Sequence, residues 1–454
     1  MANVSQQVPN FLGGVSQTSD IQKGVNQVDD ITNGYPDATF GLLKRPGTQL
    51  LYPLDIENPE NYAWFSVQGE TLPYFGCVGQ GEIHLWESLT GTKQTVTDNF
   101  GTYLDTDIEN SVDVPGYMQF KVVQLEKGII LINNRVTAAI DLDTIEGVKG
   151  AEVSRYEDLP TENQNGVYKI LNTGIAEDDY FVQYTNGAWV EVAEPGTTYK
   201  LDPSTLPHGL VKTGDDTWVA GPLAYGEREV GNDNTNPIPS FVGQRITNSF
   251  GYLNRIGFLA GSNVVLSRPL IPDNDSVGQT NPINFFAQSA FTVTDADPID
   301  VNAASIRNVV LRAALPGRQG LVLFANREQF LMYSDEGILT PTTTNIRSLC
   351  SWEMDPNIDP VELDSEFFFT SGLAPFNQHS RLMKMITRGL EEDPLVTDVS
   401  KIVSEWIPSR IYQVSASSQE QFVSILEDNS SELYIYRYYK VDGEIMMKAW
   451  TKWE

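Results

Sequence analysis

Tyr180-Phe181-Val182-Gln183-Tyr184-Thr185-Asn186-Gly187-Ala188-Trp189-Val190-Glu191-Val192 decides how this chain reads. Aromatic and β-branched residues alternate with polar ones on both sides of an Asn-Gly pair. Successive side chains of a strand point to opposite faces. Asn-Gly is the pair that best tolerates the positive φ angles of a two-residue type I′ turn. The stretch therefore predicts a tight antiparallel hairpin.

The same pattern recurs along the sequence. Residues 81–89 read as a short strand around His84 and Trp86, and 117–133 as two strands broken at Lys127-Gly128. Leu321-Val322-Leu323-Phe324 and Gln329-Phe330-Leu331-Met332-Tyr333 pair around Asn326-Arg327. Glu366-Phe367-Phe368-Phe369 with 381–387, and 421–426 with 432–439, form further pairs. Helical periodicity is scarce. Only 303–314, with Ile306, Val309, Val310 and Ala313 at spacings of three and four, predicts a short amphipathic helix. A mainly β fold follows, and short hairpins at near-regular spacing suit a propeller, a barrel or a sandwich. No strict repeat is present, so a propeller would have degenerate blades. The polar stretches 141–158 and Gly231-Asn232-Asp233-Asn234-Thr235-Asn236-Pro237 mark boundaries. They suggest a smaller β domain at 105–235 inserted in a platform formed by 1–104 and 236–454.

With 454 residues, two to four domains are expected. Aromatic residues at 10% argue against disorder. The formal charge is −30, from 60 acids and 30 bases. A protein that grips DNA through its phosphates needs a basic face, and none is visible. No Lys or Arg occurs between Arg45 and Lys93, between Arg268 and Arg307, or between Arg347 and Arg381. The plain reading of such stretches is a solvated acidic surface; the functional one is a surface that must not hold DNA. Cys77 and Cys350 lie in apolar or aromatic surroundings and are expected to be buried free thiols. The start, Met1-Ala2-Asn3-Val4-Ser5-Gln6-Gln7, lacks the basic and apolar regions of a signal peptide. Apolar runs such as Ile129-Ile130-Leu131-Ile132 are far short of a membrane span.

Catalytic patterns are missing. His84, His208 and His379 are isolated, and no zinc helix, nucleophile elbow or phosphate-binding loop is present. Asp273-Asn274-Asp275-Ser276-Val277-Gly278 begins like a calcium loop, but Asn284 stands where the bidentate Glu belongs. In Asp295-Ala296-Asp297-Pro298-Ile299-Asp300, Pro298 favours a turn with an Asp side chain bonded to nearby amides. No catalytic, cofactor-binding or metal residue is assigned. The competing reading is a tailspike-like, carbohydrate-active or carbohydrate-binding β protein, with Trp86, Trp189, Trp218 and Trp352 as sugar platforms.

An ordered series of motifs carries a family resemblance. It begins with Asn10-Phe11-Leu12-Gly13-Gly14-Val15-Ser16-Gln17 and Gly41-Leu42-Leu43-Lys44-Arg45-Pro46-Gly47. It continues through Thr205-Leu206-Pro207-His208-Gly209-Leu210-Val211 and Asp233-Asn234-Thr235-Asn236-Pro237-Ile238-Pro239-Ser240-Phe241. Asn254-Arg255-Ile256-Gly257-Phe258-Leu259-Ala260-Gly261, Asn263-Val264-Val265-Leu266-Ser267-Arg268, Asn284-Phe285-Phe286 and Asp295 to Val301 follow. Gln329-Phe330 and Leu339-Thr340-Pro341 close it. The series resembles the tail tubular protein B family, the nozzle proteins of short-tailed, podovirus-type bacteriophages. The resemblance implies a virion protein assembled in the host cytoplasm as a homohexameric ring of propeller-like platforms. It also implies docking on the tail adaptor, contact with tail fibres, and passage of double-stranded DNA through a central channel without tight binding. Lys44, Arg45, Pro46, Gly47, Asn236, Pro237, Asp295, Asp297 and Pro298 are its structural or interface candidates, with Arg45 expected to clamp a neighbouring carboxylate. Nozzle chains are generally longer, and Ala449-Trp450-Thr451-Lys452-Trp453-Glu454 reads as the middle of a strand, so more chain is expected beyond it.

Overall fold

The Asn186-Gly187 turn forms. Tyr180–Thr185 and Ala188–Glu191 pair antiparallel, with Thr185 opposite Ala188. Asn186 has φ 52° and Gly187 φ 90°, the paired positive angles of a type I′ turn. The structure is a computed structural model and describes residues 10–68, 72–105, 119–125, 128–161, 166–214, 217–270, 282–372, 378–389, 392–428, 430–441 and 444–454. The calcium-like stretch 273–278 and Lys127 of the Lys127-Gly128 turn lie outside them.

The chain is mainly β. Among the described residues, helical elements are three-residue 3-10 turns such as Pro59–Asn61 and Pro203–Thr205. No described helix is long and apolar enough to cross a membrane. The other expected hairpins also form. Phe120–Leu125 pairs with Gly128–Asn133, Glu366–Ser371 with Arg381–Ile386, and Phe422–Glu427 with Leu433–Val441. Gly320–Ala325 and Gln329–Ser334 are neighbours in one four-stranded sheet, between Leu311–Gly317 and Thr344–Cys350.

Two compact units are present. The first comprises Met1–Leu50, Leu315–Leu331 and Ser348–Glu454. Its four-stranded sheets run Val361–Leu363, Glu366–Ser371, Arg381–Ile386, Leu395–Asp398 and then Ile411–Ser417, Phe422–Glu427, Leu433–Val441, Glu444–Trp453. Val15, Phe368, Val403, Ile425, Tyr436 and Trp450 belong to its core. The second unit comprises Leu51–Ala314 and Met332–Arg347. A five-stranded sheet orders Thr95–Asp98, Thr217–Pro222, His208–Lys212, Gly128–Asn133, Phe120–Leu125. All six residues of Gly128–Asn133 are buried, as a central strand covered on both faces requires. The Asn186-Gly187 hairpin completes a four-stranded sheet with Lys149–Val153 and Val167–Ile170. A further meander joins Ile246–Tyr252, Arg255–Ala260, Asn263–Leu266 and Ile299–Asn302.

The expected helix at 303–314 is not formed. Residues 303–310 are irregular, and Leu311–Gly317 is a strand. The amides are committed elsewhere: Ala303 N–H donates to Ser262 O at 2.9 Å and Leu311 N–H to Gly261 O at 2.7 Å. Ile306, placed on the supposed apolar stripe, is fully exposed. Cys77 and Cys350 are both free, Cys77 buried and Cys350 only half-buried, so the expectation of burial fits Cys77 alone. Burial pushes both thiols up to about 12, which leaves them protonated at neutral pH.

Candidate functional site

In the second unit, two of the motif residues grip adjacent amides. Asn236 is buried, and its Oδ1 accepts from Ala287 N–H at 2.9 Å. Its Nδ2 donates to Val230 O at 3.0 Å and Ala287 O at 3.3 Å. Asp297 is also buried; one carboxylate oxygen accepts from Gln288 N–H at 2.8 Å and the other from Thr294 N–H at 2.7 Å. A loop cannot offer these amides a sheet partner, so side chains supply the acceptors. Residues far apart in sequence thus converge on Ala287-Gln288. Pro237 and Asp295 are exposed and Pro298 half-buried beside them. Asp295 contributes through its main chain.

Two buried cations complete the arrangement. Arg255 donates through Nη1 to Ser267 O at 2.8 Å and Asp297 O at 2.7 Å, and through Nη2 to Asp295 O at 2.7 Å. Burial draws its pKa down, and the Asp297 carboxylate opposes that. Arg228 has a fully buried side chain; its Nη1 donates to Thr198 O at 2.7 Å and Asp233 Oδ1 at 2.8 Å, and its guanidinium lies 5.1 Å from the Phe286 ring centre. Burial lowers its pKa too, against the Asp233 charge. Glu191, at the end of the Asn186-Gly187 hairpin, accepts from Ala290 N–H at 2.5 Å and Ser289 Oγ at 2.7 Å. Sequence reasoning did not assign roles to Arg228, Arg255 or Glu191. A signal existed for Arg255: a lone cation in the apolar run 255–260 must find carbonyls inside the fold.

The other motif lies in the first unit. Gly34–Asp37 and Gly41–Lys44 form a hairpin, and Arg45 N–H donates to Asn33 O at 3.0 Å. Arg45 Nη2 donates to the main-chain oxygen of Glu454 at 2.9 Å. Trp453 Nε1 donates to Gly34 O at 3.1 Å, and Lys452 N–H to Ile31 O at 3.0 Å. The Arg437 guanidinium lies 4.0 Å from the Tyr35 ring centre and pairs with Asp37 at 3.0 Å. Segments about 400 residues apart are thereby clipped together. Pro46 and Gly47 follow without regular structure, and Gly47 has open space around it.

Among the described residues, no cluster of three or more His, Cys, Asp or Glu side chains could hold a metal ion. His208 is buried in the five-stranded sheet, its ring 3.9 Å from that of Tyr103. Trp86 and Trp218 are buried, and Trp189 packs edge-on against Tyr168 at 5.2 Å and Tyr184 at 5.4 Å. Trp86 and Trp218 belong to cores, Trp189 is half-buried against one, and Trp352 is exposed.

Nearly every polar side chain of the two motif sites is directed at the protein's own main chain. The class the fold defines is a β-rich protein. Comparison with known proteins agrees. The model of the bacteriophage nozzle protein family matches residues 1–144 and 117–454. Tail tubular protein gp12 of Escherichia phage T7 is 26% identical over 305 residues, covering 66% of this chain and 37% of that protein. The chain thus spans little more than a third of the length of this curated relative. Among solved structures, a putative 6-phosphogluconolactonase from Bacteroides uniformis aligns with 85% of this chain and 94% of its own at 10% identity, with a TM-score of 0.34. The NanB sialidase from Streptococcus pneumoniae aligns with 86% of this chain and 55% of its own at 10% identity and a TM-score of 0.29. Likenesses so distant carry no argument about chemistry. The chain belongs to the bacteriophage nozzle protein family.

Proposed function

We propose that this chain forms part of the distal nozzle of a short-tailed phage. Copies of it close into a ring, with six as the expected number, docked on the tail adaptor and touching the fibres. Double-stranded DNA passes through the ring, and the chain has no enzymatic role. The observation that carries this reading is the family match, which takes in the chain from end to end.

The charge supports it. A basic channel would release counterions from DNA and hold the genome tightly. A chain of net charge −30 favours release, since an acidic wall repels phosphates within a Debye length of roughly 8–10 Å. A degenerate propeller-like platform is supported by successive four-stranded meanders at 246–302, 311–350, 361–398 and 411–453. An inserted domain at 105–235, between platform parts 1–104 and 236–454, is supported by the four-stranded sheet of Lys149–Val153, Val167–Ile170, Tyr180–Thr185 and Ala188–Glu191, which lies wholly inside it. Asn236, Asp297 and their neighbours hold the scaffold, while Lys44 to Gly47 mark a contact zone.

Immunogold labelling of intact virions tests the location. Label at the distal tip of the tail is expected. Label confined to capsid or fibres, or glycan cleavage by the purified protein, would overturn the reading.

A further inference from the structure

The hairpin of Gly34–Asp37 and Gly41–Lys44, in the first unit, presents an open edge. Its first strand is tied down: Trp453 Nε1 donates to Gly34 O at 3.1 Å, and Arg437 donates to Pro36 O and pairs with Asp37. Its turn is fixed by Asp37, whose Oδ1 accepts from Thr39 N–H at 2.8 Å and Phe40 N–H at 3.0 Å. Gly41–Lys44 is left as the outer strand, and no described strand pairs with its far side. Such an edge presents backbone donors and acceptors to any extended chain that reaches it. Leu42, Leu43 and Lys44 are exposed along it, and Phe40 beside it is 73% exposed.

This edge is basic in an acidic chain. No Asp or Glu occurs between Asp37 and Asp55. Lys44 makes no ion pair among the described residues, and Arg45 donates to the main chain of Glu454. The same unit has a second open edge, of opposite sign. Leu395–Asp398 ends the sheet of Val361–Leu363, Glu366–Ser371 and Arg381–Ile386, and among the described strands it pairs with Arg381–Ile386 alone. Leu395 is 43% exposed, and Thr397 is exposed. Glu392 and Asp393 precede this strand and Asp398 closes it, with no Lys or Arg between Arg388 and Lys401. Glu392 and Asp393 are exposed and make no ion pair among the described residues.

We propose that Gly41–Lys44 of one copy adds as a strand to the Leu395–Asp398 edge of the next copy. The inference rests on the ring reading above and names its contact. In strand addition, main-chain hydrogen bonds supply the affinity, and charge selects the partner. Run antiparallel, with Gly41 opposite Asp398, Lys44 would lie opposite Leu395 and diagonal to Asp393. Run parallel, with Gly41 opposite Leu395, it would lie opposite Asp398. Side chains opposite or diagonal across a strand pair are within reach of each other. In either direction a base meets an acid, whereas two copies of one edge bring together like charges, which is unfavourable. The contact is therefore heterologous: each copy gives its basic edge and receives on its acidic one. Heterologous contacts make a ring when their rotation closes.

The test uses the full protein carrying K44E, E392K and D393K together, or all three substitutions. Sedimentation velocity reads assembly, and thermal melting checks the fold. Wild type is expected to form rings. K44E and the double variant should each self-associate at least about tenfold more weakly, and the triple variant should regain most of that loss, as charges exchanged across one contact predict. A photo-crosslinker at position 43, in mixtures of isotopically heavy and light copies, should join that position to residues 392–399 of another copy. That readout does not depend on the charge variants folding. Wild-type assembly by K44E and by the double variant, no recovery in a folded triple variant, or crosslinks from 43 that land elsewhere or solely within a chain would overturn the strand contact and leave the ring reading intact. A wild-type protein that never assembles would overturn both.

Discussion

His208 donates its Nδ1 proton to the Leu206 carbonyl at 2.8 Å, which leaves a buried Nε2 without a partner beside the Tyr103 ring. Burial is the main cause of a pKa lowered to about 4. The unfolded value is about 6.5. The folded protein therefore prefers the neutral ring. The stability this gives is complete above pH ~6.5 and is lost as pH falls through the folded value, by at most roughly 3 kcal/mol. Melting temperature should fall between pH 6.5 and 4 more steeply in wild type than in H208F. Parallel profiles would contradict the assignment. Asp297 makes a separate prediction. In D297L the Gln288 and Thr294 amides lose their acceptors, at roughly 2–6 kcal/mol for two orphaned groups. Denaturant unfolding should show that loss, whereas a change under about 1 kcal/mol would mean that water or relaxation replaces the carboxylate. The Asp-rich turn was legible in sequence through Pro298 and its acids. Its targets were not, because Gln288 and Arg255 approach it only through tertiary packing.

At the scale of elements, hairpins were legible because turn chemistry and alternation are local. Asn186 and Gly187 need positive φ, and only glycine reaches it without a Cβ clash. G187V should cost about 1–3 kcal/mol; hydrogen exchange in 180–191 should rise. Unchanged protection would remove the turn's importance. The 303–314 segment misled because spacings of three and four occur by chance in so short a window, and the 261–262 turn captures its amides. The Arg45 clip is an element-level feature that no local pattern announces, since its partner lies 409 residues away. R45A removes one exposed hydrogen bond, so melting should change by less than about 1 kcal/mol. Under the contact-zone reading, ring assembly or tail attachment should suffer more. Normal assembly into infectious particles would reduce Lys44 to Gly47 to an exposed turn.

For the whole molecule, charge and family decide more than any single site. The excess of acids was plain from composition, and the β class from hairpin patterning along the chain. The sequence did not reveal how the strands of the second unit assemble, because that depends on pairings such as Thr95–Asp98 with Thr217–Pro222. If the assembled protein is a conduit, free duplex DNA should bind weakly to it. Replacing channel-facing acids by Lys should add salt-dependent retention, with roughly 0.9 in the log–log salt slope for each new phosphate contact. The most direct measurement is electron microscopy of the assembled full protein. The account predicts closed rings, six-fold, with a central opening wide enough for duplex DNA. Compact monomers, or closed particles with no central opening, would contradict it.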